Sequence, residues 1–289
     1  MENKMKSHDK NWLKLTIACL FILPLISSCT AESGKETVKE SAKETVRETV
    51  KETVKETGDA NKFEVATSIA TLEFDTSNAP DLKQWTKEKF APAIKEWVVK
   101  LTDIMASDGW MPPENIYFQF VNVKLRDADH APAWAVPSES QVSLRVDWFR
   151  ENLDGEALGS TIHELTHVMQ NYWTDGANED NCPEWASEGY ADYIRWVLFE
   201  PESKGCDFVL RDPDRYHYND SYRVSAHFFG FVESCFPGTM KKFNAALRDH
   251  SFDDGKFWKD ATGKTAEELE ADWRAANKEA AAEKKAKTE

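Results

Sequence analysis

Two histidines and a glutamate stand close together in the run His163-Glu164-Leu165-Thr166-His167. On a helix, residues i and i+4 share a face, so His163 and His167 can offer two imidazole nitrogens to one ion. Zinc binds neutral imidazole, and a catalytic zinc site needs three protein ligands and one open position. Glu164 lies beside the pair as a candidate general base. The run therefore predicts two ligands of a catalytic zinc site and leaves the third to be found.

A carboxylate further along the chain can supply the third ligand. Glu188 follows His167 after a polar loop that is long enough for a return helix to bring it to the ion. Asp192 lies one turn later on the same face, where it can accept a hydrogen bond from the outer nitrogen of a ligand histidine. Glu184, at the start of this helix, is a rival third ligand. The alternative for Glu188 and Asp192 is an ordinary acidic helix face.

The apolar pattern predicts the helices that carry these residues. Residues of the first helix that share one face are Ile162, Leu165, Met169 and Tyr172. A helix from about 154 to 172 would bury this face in the core and turn its histidines toward a cleft. A second helix is predicted from Pro183 to about Phe199, and it carries the acidic candidates.

The remaining segments are predicted to be strands in the first half of the chain and helices in the second half. Strands are predicted at 63–74, 115–124 and 141–147, and helices at 79–105, 219–235, 237–250 and 264–277. This order predicts an α+β fold with a small N-terminal mixed sheet and a mostly helical C-terminal half. The strand from Val142 to Val146 is either an edge strand that pairs with an extended peptide or an internal strand.

The N-terminus has the pattern of an export signal. Several lysines precede an apolar run at 15–26 that is too short to be a comfortable membrane span. The run ends in Leu25-Ile26-Ser27-Ser28-Cys29, which resembles the lipobox of bacterial lipoproteins, where the cysteine is lipidated. Lipid on Cys29 would anchor the exported protein in the cell envelope, at the outer membrane or cell surface. The alternative is an ordinary cleaved signal or a short membrane anchor.

A four-residue repeat of the type Lys-Glu-Thr-Val fills residues 35–57. Its period drifts around an ideal helix, so the valines form no lasting stripe, and threonine and valine disfavour helix formation. A charged spacer is therefore favoured over a partner-binding coiled coil. The predicted organisation is a lipoprotein signal at 1–28, the lipidated cysteine and spacer at 29–61, a folded domain at 62–277 and a fraying polar tail at 278–289.

Composition restricts the class of partner. The 289 residues include 11 tryptophans and 16 phenylalanines, which indicates a folded body, and the formal net charge is −15. Phosphate binding needs basic stripes, so this charge argues against a nucleic-acid partner. Cys182, Cys206 and Cys235 could form one disulfide in an oxidising envelope, and the sequence does not choose the pair.

Two separate motifs in a fixed order are more specific than either alone. The sequences H-E-L-T-H-V-M-Q at 163–170 and E-G-Y-A-D-Y-I-R at 188–195 resemble the basic secretory protein family of zinc metallopeptidases of plants and bacteria, which is gluzincin-like. The resemblance continues through 221–229 and 257–273 and covers most of 62–277. The acidic net charge departs from the family's name.

The resemblance implies a zincin-like fold and a zinc-dependent endopeptidase with one Zn²⁺ ion. His163, His167 and Glu188 would hold the ion. Glu164 would act as general base on a water molecule, and the substrate would be a peptide or protein. Two alternative hypotheses are a non-catalytic surface binding module on a peptidase-like fold and a zinc hydrolase specific for glycosylated or cell-wall peptides.

A further hydrogen-bond donor is expected to stabilise the oxyanion that forms during hydrolysis. Tyr222 is the first candidate, from its place in the family-like stretch Ser221-Tyr222-Arg223. His227 and His217 are the alternatives.

Overall fold

A six-stranded mixed sheet forms the N-terminal half of the structure, a computed structural model that describes residues 54–123, 131–220 and 222–287. The strands are β1 Val54–Glu56, β2 Lys62–Ala66, β3 Thr71–Asp75, β4 Asn115–Val121, β5 Ala133–Val136 and β6 Gln141–Arg145. They lie in the order β1-β2-β3-β4-β6-β5. The pairs β3/β4 and β4/β6 are parallel, and the others are antiparallel. The strand β5 is therefore an edge strand.

Stacked phenylalanines join the central strands. Phe63 lies opposite Phe74, and Phe74 lies opposite Phe118, with ring centroids 5.0 and 5.1 Å apart. Each of these rings is almost fully buried, and burial of one such side chain stabilises the fold by roughly 1.5–3 kcal/mol. Phe90 packs edge-on against Phe74 and Phe118 and so connects the sheet to the first long helix.

The helices follow the early strands and dominate the C-terminal half. They are α1 Ala91–Ile104, α2 Val146–Asn152, α3 Ala157–Gln170, α4 Glu184–Asp192, α5 Tyr222–Cys235, α6 Thr239–Arg248, α7 Asp254–Thr262 and α8 Ala266–Ala286. Helical turns from Pro80 to Phe90 lead into α1, and α4 continues as a wider π-helical segment, Tyr193–Phe199. In the described ranges, no helix combines the length and the apolar character that a membrane span requires. The predicted α+β fold with a helical C-terminal half is confirmed.

The helix α3 lies between the edge of the sheet and the helices that follow. It packs against β5 and β6 and against α4, and α4 in turn packs against α5. Ile162, Leu165, Met169 and Tyr172 are buried, as the apolar pattern predicts. The opposite face of α3 is left to line a cleft.

Three strand predictions need correction. The segment 63–74 is a hairpin, β2 and β3, because the hydroxyl of Thr67 accepts hydrogen bonds from the backbone N–H groups of Ile69 and Ala70 and turns the chain. The strand β5 lies in the predicted loop before β6. The chain enters α2 at Val146, where the strand 141–147 was expected to continue.

The ends of the described chain are also more regular than expected. Val54–Glu56, at the end of the Lys-Glu-Thr-Val repeat, pairs with β2, so the sheet begins inside the predicted spacer. At the other end, α8 starts with a capping box of Thr265 and Glu268 and continues to Ala286 through most of the predicted tail. The helix α7 was not predicted. The signal, Cys29 and most of the repeat lie outside the described residues.

The cysteines of the folded part do not form the disulfide that the sequence allowed. Cys182 and Cys206 are both buried and carry free thiols. Burial raises the pKa of each thiol to about 12, so both stay protonated at neutral pH. Cys235 is half-buried at the end of α5.

Candidate metal centre

Three ligand atoms converge at one end of the cleft between α3 and α4. They are Nε2 of His163, Nε2 of His167 and Oε2 of Glu188, and each pair of these atoms is 3.1 Å apart. In the described part of the chain, this is the group of histidine, cysteine and acidic residues that is close enough to hold a metal ion. The structure thus brings together the three side chains that the sequence singled out as ligands.

The outer nitrogen of each histidine is held by a different partner. Nδ1 of His163 lies 2.8 Å from Oδ1 of the buried Asp192, and Nδ1 of His167 lies 2.7 Å from Oε1 of Gln170. The amide of Gln170 is oriented by its own contacts, because its Nε2 donates to the backbone oxygen of Ser187 at 3.0 Å. Both partners are acceptors, so each neutral imidazole carries its proton on Nδ1.

This tautomer leaves three lone pairs that face one another. With Nδ1 protonated, both Nε2 atoms are acceptors, and the carboxylate of Glu188 is a third. Three acceptors at 3.1 Å repel unless a metal ion lies between them or, without a metal, a proton on one imidazole takes its place. A tetrahedral zinc ion with nitrogen ligands at 2.0–2.1 Å would place its ligand atoms about 3.3 Å apart. The donor set and its spacing therefore fit Zn²⁺.

The protein around the histidines favours a positive charge. Burial alone would lower the pKa of His163, but in the metal-free site its contacts with Asp192 and Glu188 outweigh burial and raise the pKa to about 10. Burial also acts on Glu188, yet its contacts with the two histidines hold its pKa well below the usual range. The carboxylate of Glu188 is thus ionised and available as a ligand.

The edge strand β5 fixes the candidate base. Oε2 of Glu164 accepts a hydrogen bond of 2.9 Å from the backbone N–H of Ala135. Burial raises the pKa of Glu164, which brings the carboxylate closer to the proton affinity that a general base needs. The same contact shows that outward-pointing backbone groups of β5 face the cleft. The strand 142–146 is internal, between β4 and β5, so β5 is the edge strand beside the site.

A close approach of two helices positions Glu188. The next residue, Gly189, lies so near α5 that an added Cβ would be 2.5 Å from Cβ of Ser225 and 3.1 Å from the ring of Phe229. No other residue type fits this contact without a shift of the helices. The Glu-Gly pair of the sequence motif thus joins a ligand to the packing that holds it in place.

The cleft has a volume of about 490 Å³ and opens beside the three converging atoms. Its lining consists of Pro132, Ser160, His163, Glu164, Glu188, Asp192, Arg195, Trp196, Phe208, Tyr222 and Arg223. The hydroxyl of Tyr222 donates to Oε1 of Glu184 at 3.0 Å. Burial and this hydrogen bond raise the pKa of Tyr222 to about 12, so the phenol keeps its proton. Glu184, the rival ligand, is engaged here and lies outside the converging group.

The structure places the two alternative oxyanion donors away from the cleft. Nδ1 of His227 accepts a hydrogen bond of 2.8 Å from the indole N–H of Trp273 on α8. His217 is exposed, and its Nδ1 lies 3.0 Å from a carboxylate oxygen of Glu270. Neither histidine lines the cleft, so the geometry favours Tyr222 over both alternatives.

Sequence reasoning missed Gln170, Arg195, Trp196 and Arg223, which lie in or beside this site. A signal for Gln170 was present, since it lies three residues after His167 on the same helix, within reach of its outer nitrogen. The two arginines carried no such signal, because only the fold shows which of them has a carboxylate partner.

A family model described as "Peptidase of plants and bacteria" matches residues 121–273, more than half of the chain. The match includes both ligand motifs and the cleft-lining residues. No curated protein and no solved structure matches the chain. The chain belongs to this family, the basic secretory proteins.

Proposed function

We propose that this member of the peptidase family is a zinc-dependent endopeptidase with a zincin-like catalytic domain. The observation that carries the proposal is the convergence of three lone pairs from His163, His167 and Glu188 beside the partly buried Glu164. Two histidines and one carboxylate are a known ligand set of catalytic zinc, and they leave one coordination position open. The family's description as peptidases supports hydrolysis of peptide bonds.

Glu164 would carry the proton transfers of the reaction. When bound, zinc supplies Lewis-acid chemistry, which polarises a carbonyl and lowers the pKa of water. Glu164 accepts the proton of the attacking water and then delivers it to the departing amine. The N–H of Ala135 holds its carboxylate in place at 2.9 Å. Asp192 and Gln170 keep the histidine nitrogens in the tautomer that a metal ion requires.

Tyr222 is the proposed donor to the oxyanion. Tyr222 lines the same cleft as Glu164, and its pKa of about 12 keeps the phenol protonated; to reach the oxyanion the hydroxyl must turn away from Glu184. A positioned donor of this kind typically contributes about 10²–10³ in rate. The outward edge of β5 offers backbone groups with which an extended peptide can pair.

The proposal is tested by hydrolysis of a peptide library together with metal analysis of the purified protein. Wild type should contain one zinc ion per chain and cleave peptides internally. Glu164→Gln should keep the zinc and lose about 10²–10⁴ in rate, the usual contribution of a general acid–base group. Glu139→Gln is the matched control, because Glu139 is an exposed glutamate in the turn after β5 and does not line the cleft. Hydrolysis that survives both Glu164→Gln and chelation would overturn the proposal.

The two alternative functions, a binding module and a hydrolase of glycosylated or cell-wall peptides, receive less support from the site. A non-catalytic binding module would not need Glu164, both histidines and Glu188 to be present together. For glycosylated or cell-wall peptides, an aromatic platform for sugars would be expected; Trp196 of the cleft wall does not provide one, because it is buried and has guanidinium groups over its ring.

The lipid tether is a proposal from the sequence. We propose that lipid on Cys29 holds the protein at the bacterial cell envelope and that the repeat spaces the catalytic domain from the membrane. Replacing Cys29 with serine should move the protein from the membrane fraction to the soluble fraction; an unchanged membrane fraction would contradict the tether.

A further inference from the structure

Two arginines lie over one tryptophan in the wall of the cleft. The guanidinium carbons of Arg195 and Arg223 are 3.9 and 4.3 Å from the ring centroid of Trp196. All three residues line the cleft with Glu164 and Glu188. The wall therefore holds two cations close to the proposed reaction centre.

The two cations differ in what they bind. Arg195 is buried, and it donates to Glu200 at 2.6 Å and to Glu156 at 2.8 Å, so its charge is neutralised within the protein. Arg223 is exposed, and no carboxylate of the described residues lies within 4.0 Å of it, nor does any described residue hydrogen-bond to it. Its guanidinium thus has its donors available to a ligand.

Arg223 is also held in a defined place. Its guanidinium lies over Trp196, which is 6% exposed and cannot swing away. The backbone at Gly205 touches the indole so closely that an added Cβ would be 2.1 Å from Cε3. A cation over an indole ring is attracted by the ring's negative face, which restrains an otherwise mobile side chain. An oriented guanidinium is suited to a planar carboxylate, to which it can donate two parallel hydrogen bonds.

The charges around Arg223 make it the attractive point for an anion. The chain has a formal net charge of −15, and the cleft also contains the carboxylates of Glu164, Glu188 and Asp192. A negatively charged ligand is repelled by most of this surface. Arg223 is the second residue of α5, where the positive end of the helix dipole adds to its charge. A carboxylate that enters the cleft is therefore directed to this place.

We propose that Arg223 binds a carboxylate of the peptide substrate and so makes the enzyme selective for acidic peptides. The carboxylate comes either from an Asp or Glu side chain near the scissile bond or from a free C-terminus. This inference rests on the proposed peptidase function for its meaning, but its binding part can be measured without hydrolysis.

The test compares short fluorescent peptides in pairs that differ only by Glu or Gln at one position, each with a free or an amidated C-terminus. Binding is measured by fluorescence anisotropy to the full-length protein carrying Glu164→Gln, and cleavage is measured with wild type. The acidic peptide should bind and react roughly 10- to 100-fold better, the usual range for a hydrogen-bonded charged pair. Adding Arg223→Gln should remove this preference, and Arg223→Lys should keep part of it.

The matched control is Arg215→Gln. Arg215 is also an exposed arginine near an aromatic ring, 5.4 Å from the centroid of Tyr216, but it does not line the cleft. The change Arg215→Gln removes one positive charge, as Arg223→Gln does, and it should leave the preference for the acidic peptide unchanged. If amidation of the C-terminus weakens binding and the change from Glu to Gln does not, the C-terminal carboxylate is the bound group.

The outcomes separate the two proposals. Equal binding of all peptides, whether or not they carry the Glu side chain or a free C-terminus, or a carboxylate preference that survives Arg223→Gln, would overturn the role of Arg223 while leaving hydrolysis intact. Selective binding without cleavage by wild type would instead refute the peptidase function and keep Arg223 as a carboxylate site.

Discussion

Each histidine of the proposed metal centre keeps its proton on the nitrogen that faces the protein, but the two acceptors are unlike. His163 faces the carboxyl group of Asp192, and His167 faces the amide of Gln170. A carboxylate makes the opposite ring nitrogen a stronger electron donor than an amide does. We therefore expect His163 to be the more strongly bound ligand of the two.

This difference gives a prediction for zinc affinity. Asp192→Asn should lower the affinity about 10- to 100-fold, the usual effect of losing such a support, because the charge that polarises His163 is removed. Competition with a chromophoric chelator measures the affinity. Glu184→Gln serves as the control and should bind zinc like wild type. Equal zinc affinities for Asp192→Asn and wild type would show that Asp192 is only part of an acidic helix face and does not support His163.

At the residue scale, the metal ligands could be predicted because their spacing along the chain is fixed. The role of a residue that depends on its ion-pair partners in the fold could not be predicted. The positions of His163, His167 and Glu188 followed from helix periodicity and one loop. Arg223 could not be chosen over Arg195, because their difference lies in Glu156 and Glu200, which reach only one of them through the fold.

At the scale of elements, the packing of α4 on α5 decides where the carboxylate ligand stands. Gly189→Ala would insert a methyl group 2.5 Å from Cβ of Ser225. Helix propensity alone would favour alanine here by up to about 1 kcal/mol, whereas overpacking costs roughly 1–3 kcal/mol. We expect net destabilisation in urea unfolding, with weaker zinc binding because Glu188 moves with the helix.

The control for this change is Gly155→Ala, where the nearest atom to the new Cβ is 3.7 Å away. It should leave the unfolding free energy and zinc affinity nearly unchanged. A Gly189→Ala protein that is more stable than wild type would show that propensity dominates and that the helices tolerate the methyl group.

Elements with a strong period were predictable, and those made by tertiary pairing were not. The helix α3 followed from apolar spacing, and the start of α4 followed from Pro183-Glu184-Trp185. The strand β5 has only four residues, Ala133–Val136, between prolines, and it exists because it pairs with β6. The hairpin of β2 and β3 was hidden because the turn at Thr67 lacks the glycine or proline that usually marks one.

At the scale of the molecule, His227 ties α5 to the C-terminal helix α8 and makes stability depend on pH. The indole N–H of Trp273 can only donate, so Nδ1 of His227 must be unprotonated in the fold. Burial, opposed by the charge of Asp207, lowers the pKa of His227 to about 4, against about 6.5 when unfolded.

The direction of the pH dependence of stability follows from these two pKa values. Below pH 6.5 the unfolded chain binds a proton that the folded histidine does not accept until about pH 4. Stability from this residue is thus complete above pH 6.5 and is lost as pH falls toward 4. Between pH 7.5 and 5 the loss is about 2 kcal/mol.

Urea unfolding of the metal-free protein at both pH values measures this loss. His227→Gln is the comparison, because its amide oxygen can accept the indole N–H but does not titrate. The variant should lose about 2 kcal/mol less than wild type over the same interval, while the contribution of His163 is common to both and cancels. An identical pH dependence in the two proteins would contradict the neutral state of His227.

The hydrogen bond from Ala135 to Glu164 has a consequence for how a peptide can lie in the cleft. The base occupies one rung of the ladder that the free edge of β5 would otherwise offer to an incoming strand. An extended peptide that pairs with β5 must therefore form its rungs on the side of Ala133, because Pro137 on the other side has no N–H and its oxygen already accepts from Ser140. The register of such a peptide is set by the base itself, which places the bond to be cut opposite the carboxylate that acts on it.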